Sequence, residues 1–144
     1  MKKYILIILM VVFHQYLFSQ DALKEKFNLM PWPQQISENN TTFKIDEKLT
    51  ISIVGEDLKR RVTNASVSFL RRLANRTGIF IDVGFPVDQK QTSIKISFDT
   101  VSSLTIESDE TYSLQVKENS VLIKAKTDVG ALRGLETLLQ LVNF

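Results

Sequence analysis

Residues 112–141 read YSLQVKENSVLIKAKTDVGALRGLETLLQL, and this stretch decides the fold. Tyr112 to Val116 and Val121 to Ala125 carry strand-like runs on either side of the polar Lys117-Glu118-Asn119-Ser120, which predicts a β-hairpin. Thr127 or Asp128 is placed to cap a helix running from Val129 to about Val142. On that helix Ala131, Leu135, Leu138 and Val142 form one apolar stripe, widened by Leu132, Leu139 and Leu141. Gly130 and Gly134 lie one turn apart. Each costs ~1 kcal/mol in helix propensity, a cost usually met where a helix packs tightly on a neighbour. A wide apolar helix directly after a hairpin needs a sheet to cover it.

Upstream, more strand material appears. Thr42-Phe43-Lys44-Ile45 alternates. Leu49 to Val54 is β-branched, with Leu49, Ile51 and Ile53 on one face, and Gly55 ends it. Ile79 to Val83 and Thr92 to Phe98 read as two further strands, and Asp99 to Glu107 as a crossover or loop. Between them Glu56 to Thr77 predicts a long amphipathic helix, with Leu58, Val62, Ala65, Phe69 and Leu73 on its apolar stripe. Glu56 and Asp57 in its first turn and Arg71, Arg72 and Arg76 toward its end complement the helix dipole. Gly78 suits the left-handed position after the last turn. The expected class is α+β: a two-layer α/β sandwich, with a mainly antiparallel or mixed sheet of five or six strands and two helices packed on one face.

The first nineteen residues are expected to be a signal peptide. Lys2 and Lys3 form a positive start, Tyr4 to Phe13 an apolar run, and Ser19 a small residue before the cleavage point, leaving Gln20 as the new N-terminus. The run is shorter than the ~20 residues of a membrane span, so no stable span is expected after cleavage. Residues 20–29 read as a flexible lead-in. Pro31, Trp32 and Pro33 then form a stiff N-terminal anchor, with Trp32 as the side chain to bury. The domain proper runs over residues 30–144. The chain stops at Leu141-Val142-Asn143-Phe144, hard against the wide apolar helix, and that end is expected either to pack on its own sheet or to face a second domain.

Charge and composition narrow the function. The 144 residues hold 18 bases and 16 acids. Removing Met1 to Ser19 takes Lys2 and Lys3 and no acid, so sixteen bases then face sixteen acids. Nucleic-acid binding loses its electrostatic support. An apolar content of 44% is enough to form a core. Cys is absent and the single His, His14, lies in the expected signal peptide. The mature chain has no imidazole or thiolate for a nucleophile pair or a zinc site. No catalytic, cofactor-binding or metal-binding residue is assigned. Asp109-Glu110 and Glu56-Asp57 are adjacent acids at turns or helix starts and read as solvated charges.

Two segments resemble a known family. Met30-Pro31-Trp32-Pro33-Gln34 resembles its proline-x-proline entry. Glu110 to Val116, followed by Val121 to Lys126 and by Gly130-Ala131-Leu132-Arg133-Gly134-Leu135-Glu136-Thr137-Leu138-Leu139-Gln140-Leu141, resembles its tyrosine-led strand, second strand and a helix opening Gly-Ala-x-Arg-Gly and continuing Thr-Leu-x-Gln-Leu. The family is the N-terminal domain that precedes the barrel in β-N-acetylhexosaminidases of glycoside hydrolase family 20. The resemblance implies an exported accessory domain packed against a (β/α)8 barrel of the same protein. The barrel would remove terminal N-acetylglucosamine or N-acetylgalactosamine from glycans by a substrate-assisted route. It would also hold the family's Asp-Glu pair, which this chain does not match, so the chain alone is expected to be inactive and to need no cofactor. The scaffold role falls on Gly130, Arg133, Gly134 and Phe144 as the candidate inter-domain interface. Arg133 either holds an acid across that boundary or pairs within its own domain. Two other readings stand beside this one: a stand-alone periplasmic carbohydrate- or protein-binding module, and the accessory domain of another exported glycosidase.

Overall fold

The computed structural model describes residues 23–81 and 92–142. The expected signal peptide, Phe144, and the 82–83 portion of the Ile79–Val83 strand lie outside these residues. The chain divides into two compact units, Met1–Ser37 and Glu38–Phe144. In the first, α1 covers residues 23–27, Leu29 is buried, and the Met30–Pro31 peptide is cis.

The second unit is built as β1 (Ile51–Val54), α2 (Arg61–Thr77), β2 (Ile94–Thr100), β3 (Tyr112–Lys117), β4 (Ser120–Thr127) and α3 (Asp128–Gln140). Its strands form one four-stranded sheet in the order β1-β2-β4-β3. β1 pairs with β2 and β2 with β4 in parallel, while β3 pairs with β4 antiparallel. Of the expected mainly antiparallel or mixed sheet of five or six strands, the described residues form a mixed sheet of four. The reason is non-local. The chain leaves β1, passes through α2 and returns alongside in the same direction, and the hairpin then sends β4 inward against β2 and leaves β3 at the edge.

Register explains the core. Ile51, Ile94, Val121 and Val116 line up across the sheet, as do Ile53, Ile96, Ile123 and Leu114, and then Phe98, Ala125 and Tyr112. With a period of two, all point to one face. Lys95, Ser97, Lys124, Gln115 and Ser113 point to the other. The apolar face shares one core with Val62, Phe69, Leu70 and Leu73 of α2 and Ala131, Leu135, Leu138 and Leu139 of α3.

Three local expectations change. Residues 42–45 form no strand, although Phe43 and Ile45 still lean on the core. The described part of the expected Ile79–Val83 strand, 79–81, is not in a strand. The long helix begins at Arg61 rather than Glu56. Asp57 is the cause: its Oδ2 accepts from the backbone N–H of Thr63 at 2.7 Å and from the Thr63 hydroxyl at 2.8 Å. A carboxylate that satisfies free N–H groups marks a start, not an interior. Leu58 is thereby left out of the stripe and is 79% exposed. The other end is as expected, with Gly78 at φ 68° closing onto the Ala74 carbonyl.

Candidate functional site

The two helices run in the same direction, with their starts drawn together by one buried carboxylate. Thr127 is the N-cap of α3, its Oγ1 accepting from the Gly130 N–H at 3.1 Å. Asp128 follows with 0% exposure. Its Oδ1 accepts from the backbone N–H of Ser102 at 2.7 Å and of Val129 at 3.1 Å. Its Oδ2 meets Arg61 Nη1 at 2.7 Å. The same Nη1 donates to the Ser102 carbonyl at 2.9 Å. The Arg61–Asp128 pair thus grips both polar groups of one loop residue and ties the segment after β2 to both helices. A buried charge is tolerated only when satisfied in this way.

Farther along, Arg72 pairs with Glu136 and Arg76 Nη1 donates to the Leu139 carbonyl at 2.7 Å. Two of the three arginines expected near the end of this helix, Arg72 and Arg76, thus bridge α2 to α3. Tyr112 and Thr137 share a hydrogen bond of 2.6 Å between their hydroxyls, joining the edge strand to α3.

Arg133 pairs within its own domain. Its Nε and Nη2 donate to the two carboxylate oxygens of Glu110 at 2.9 and 3.0 Å, with both side chains about half exposed. Gly130 and Gly134 are buried toward their own sheet. A Cβ on Gly130 would lie 2.4 Å from the Thr111 carbonyl oxygen, and one on Gly134 2.6 Å from Ile123 Cγ2. In the first unit, Trp32 and Pro33 are half-buried and Pro31 is exposed, and Lys24 Nζ lies 5.9 Å from the Trp32 ring centre.

Electrostatics follow the same structural pattern. The Thr111 hydroxyl and backbone N–H, helped by Lys126, hold Asp109 below the usual carboxylate range. The Arg133 fork does the same for Glu110 and is itself raised by that pairing. A general acid in glycoside cleavage needs its pKa pushed up; these two move the other way. Both acids have a folded value below the unfolded one. Their stabilisation is therefore present above the unfolded value near 4 and is lost as pH falls through the lower folded value. The urea midpoint is expected to decline on acidification below about pH 4, and Glu110→Gln to flatten part of that decline. A profile unchanged by Glu110→Gln would show that the pairing adds nothing to stability.

A shallow depression of about 380 Å³ lies between Ser97, Asp99, Thr111, Tyr112, Lys124, Ala125 and Lys126. Among the described residues no group of three or more acidic, His or Cys side chains is placed to hold a metal ion, and no helix is long and apolar enough to cross a membrane. Of the described acids, Asp57 bonds the first turn of α2, Glu110 and Glu136 pair with arginines, and Asp128 holds the loop after β2.

A family model described as "beta-acetyl hexosaminidase like" matches residues 29–141. The chain belongs to that family. It is an N-terminal domain of glycoside hydrolase family 20. Among its relatives, the Beta-hexosaminidase of Porphyromonas gingivalis is 32% identical over 115 residues, which cover 80% of this chain and 14% of the relative. Beta-hexosaminidase 1 of Arabidopsis thaliana is 30% identical over 131 residues, 81% of this chain and 24% of the relative. The solved structure of Flavobacterium johnsoniae chitobiase superposes with a TM-score of 0.76 at 40% identity, over 84% of this chain and 19% of that one. The chain therefore spans no more than about a quarter of these proteins.

For this family 20 domain, the Gly-Ala-Leu-Arg-Gly stretch divides its labour: the glycines face the sheet, Ala131 sits in the core, and Arg133 crosses to Glu110. Sequence reasoning found these positions but missed the Arg61–Asp128 grip on Ser102, because those three residues are far apart in the chain. The available signal was an acid directly after the capping Thr127, at the head of a helix whose stripe is otherwise apolar. The Tyr112–Thr137 bond was also unforeseen. Tyr112→Phe is expected to cost about 1 kcal/mol, the usual net value of one such bond, read as a lower urea midpoint with an unchanged slope.

Proposed function

We propose that this chain is the accessory domain of an exported β-N-acetylhexosaminidase, inactive by itself, which supports a catalytic barrel elsewhere in its parent protein. The observation that carries the reading is the family match over residues 29–141, with the chain spanning only 14% of the Porphyromonas gingivalis relative. The parent would release terminal N-acetylglucosamine or N-acetylgalactosamine, and the positive start, apolar run and Ser19 would direct its export.

The test is an assay with a chromogenic N-acetylglucosaminide. The 144-residue chain is expected to give no turnover and the parent protein steady turnover. Turnover by the short chain would overturn the assignment of catalysis to the barrel. Export is tested by N-terminal sequencing of the mature protein, with Gln20 expected as its first residue; an intact Met1 would refute it.

Arg133→Ala separates local from inter-domain roles. In the 144-residue chain it is expected to have little effect on unfolding, because the pair with Glu110 is half-solvated. A fall in thermal stability of the parent alone would give Arg133 a coupling role, whereas equal behaviour of the two would confine it to its own domain.

A further inference from the structure

The segment between β2 and β3 is held firmly yet presents apolar side chains to water. Its base is fixed by the Arg61–Asp128 grip on Ser102. Inside it, the Ser108 hydroxyl bonds the Ser102 hydroxyl at 2.7 Å and accepts from the Thr105 N–H at 2.9 Å, and the Ser102 hydroxyl accepts from the Leu104 N–H at 3.1 Å. Leu104 sits at φ 62°, a left-handed conformation uncommon for a residue with a branched side chain. Leu104 is 59% exposed, and Ile106, two residues on, is fully exposed at 104%. Single exposed apolar residues are ordinary. Two on one pinned tip, one of them in an uncommon backbone conformation, make a preorganised contact that would lose little entropy on docking.

We propose that Leu104 and Ile106 form a docking knob that inserts against the catalytic part of the same parent protein. The inference rests on the accessory-domain reading and names the surface that performs it. The occupant follows from length: the chain covers 14% to 24% of the hexosaminidases it resembles, so most of such a parent lies outside this structure and is covalently tethered to it. A tethered neighbour meets the knob at high effective concentration, so a small apolar contact suffices. The test uses the parent protein and the 144-residue chain side by side.

Hydroxyl-radical footprinting reads side-chain accessibility directly. Labelling of Leu104 and Ile106 is expected to fall several-fold in the parent relative to the short chain. L104S/I106S in the parent is expected to lower its melting temperature by several degrees while leaving the short chain's unchanged, since both side chains are exposed there. Equal labelling in the two proteins overturns the knob, even if the parent turns over an N-acetylglucosaminide, in which case the functional reading survives without it. Protection that appears in the short chain and grows with its concentration also overturns it, by making a second copy the occupant. A parent that protects the knob but shows no turnover keeps the docking surface and strikes the hexosaminidase reading instead.

Discussion

Asp128→Ala is expected to lose about 3–5 kcal/mol, the range for removing one partner of a buried ion pair. Three groups are stranded at once. Arg61, with 18% of its side chain exposed, keeps a charge in a poorly solvated place. The Ser102 N–H loses its acceptor at 2.7 Å, and the Val129 N–H loses a further acceptor in the first turn of α3. A domain of this size has a total stability of ~5–15 kcal/mol, so the variant is expected to sit near the edge of folding at 37 °C. Asp128→Asn keeps the shape and one acceptor oxygen, so a smaller loss is expected. The measurement is urea unfolding followed by circular dichroism. A loss below about 1 kcal/mol for the alanine variant would mean that the loop and helices are held by apolar packing alone. Arg61→Met probes the same grip from the other side. If the pair acts as a unit, the double variant is expected to cost less than the sum of the singles.

How much of this was legible in the sequence depends on the range of the interaction. The alternation Ile94, Ile96, Phe98 and the run Val121, Ile123, Ala125 marked one buried face, because a strand's period of two is a local property. The stripe Val62, Ala65, Phe69, Leu73 and the Gly78 stop were legible for the same reason. Leu58 was misleading. Its spacing continued the stripe, but the Asp57 carboxylate competes for the N–H groups that a longer helix would have satisfied internally, and Leu58 falls outside. Strand direction was not legible at all. Nothing local to Ile94–Thr100 says that both its neighbours run parallel to it; that follows from a crossover through α2 and from β4 entering between β2 and β3. The site divides in the same way. The absence of Cys, and of His beyond His14, was plain, and so was the close packing of Gly130 and Gly134 on the sheet. Arg133's choice of Glu110, twenty-three residues away, required the hairpin to be folded first.

Gly130→Ala is the prediction in which local and tertiary rules give opposite signs. Judged on helix propensity alone, alanine in α3 gains about 1 kcal/mol. The structure reverses this. The added methyl would lie 2.4 Å from the Thr111 carbonyl oxygen and 3.0 Å from Ala125 Cβ. The first obstacle is backbone, next to the Asp109–Thr111 turn, and it has no rotamer to change. Either α3 lifts from β4 or the turn before β3 shifts, and either movement opens the core beside Ala131 and Leu135. Overpacking of this kind costs ~1–3 kcal/mol and here falls at the upper end, so after the propensity gain a net loss of about 2 kcal/mol is expected. Gly134→Ala is expected to be milder, because its closest neighbour is the Ile123 Cγ2 methyl at 2.6 Å and a side chain yields more than a carbonyl. The Gly130 change translates into a fall in melting temperature of roughly 10 °C, measurable by calorimetry on the 144-residue chain. If alanine at 130 instead raises the melting temperature, α3 is not seated on β3 and β4 as closely as described, and the scaffold reading of the Gly-Ala-x-Arg-Gly stretch fails with it.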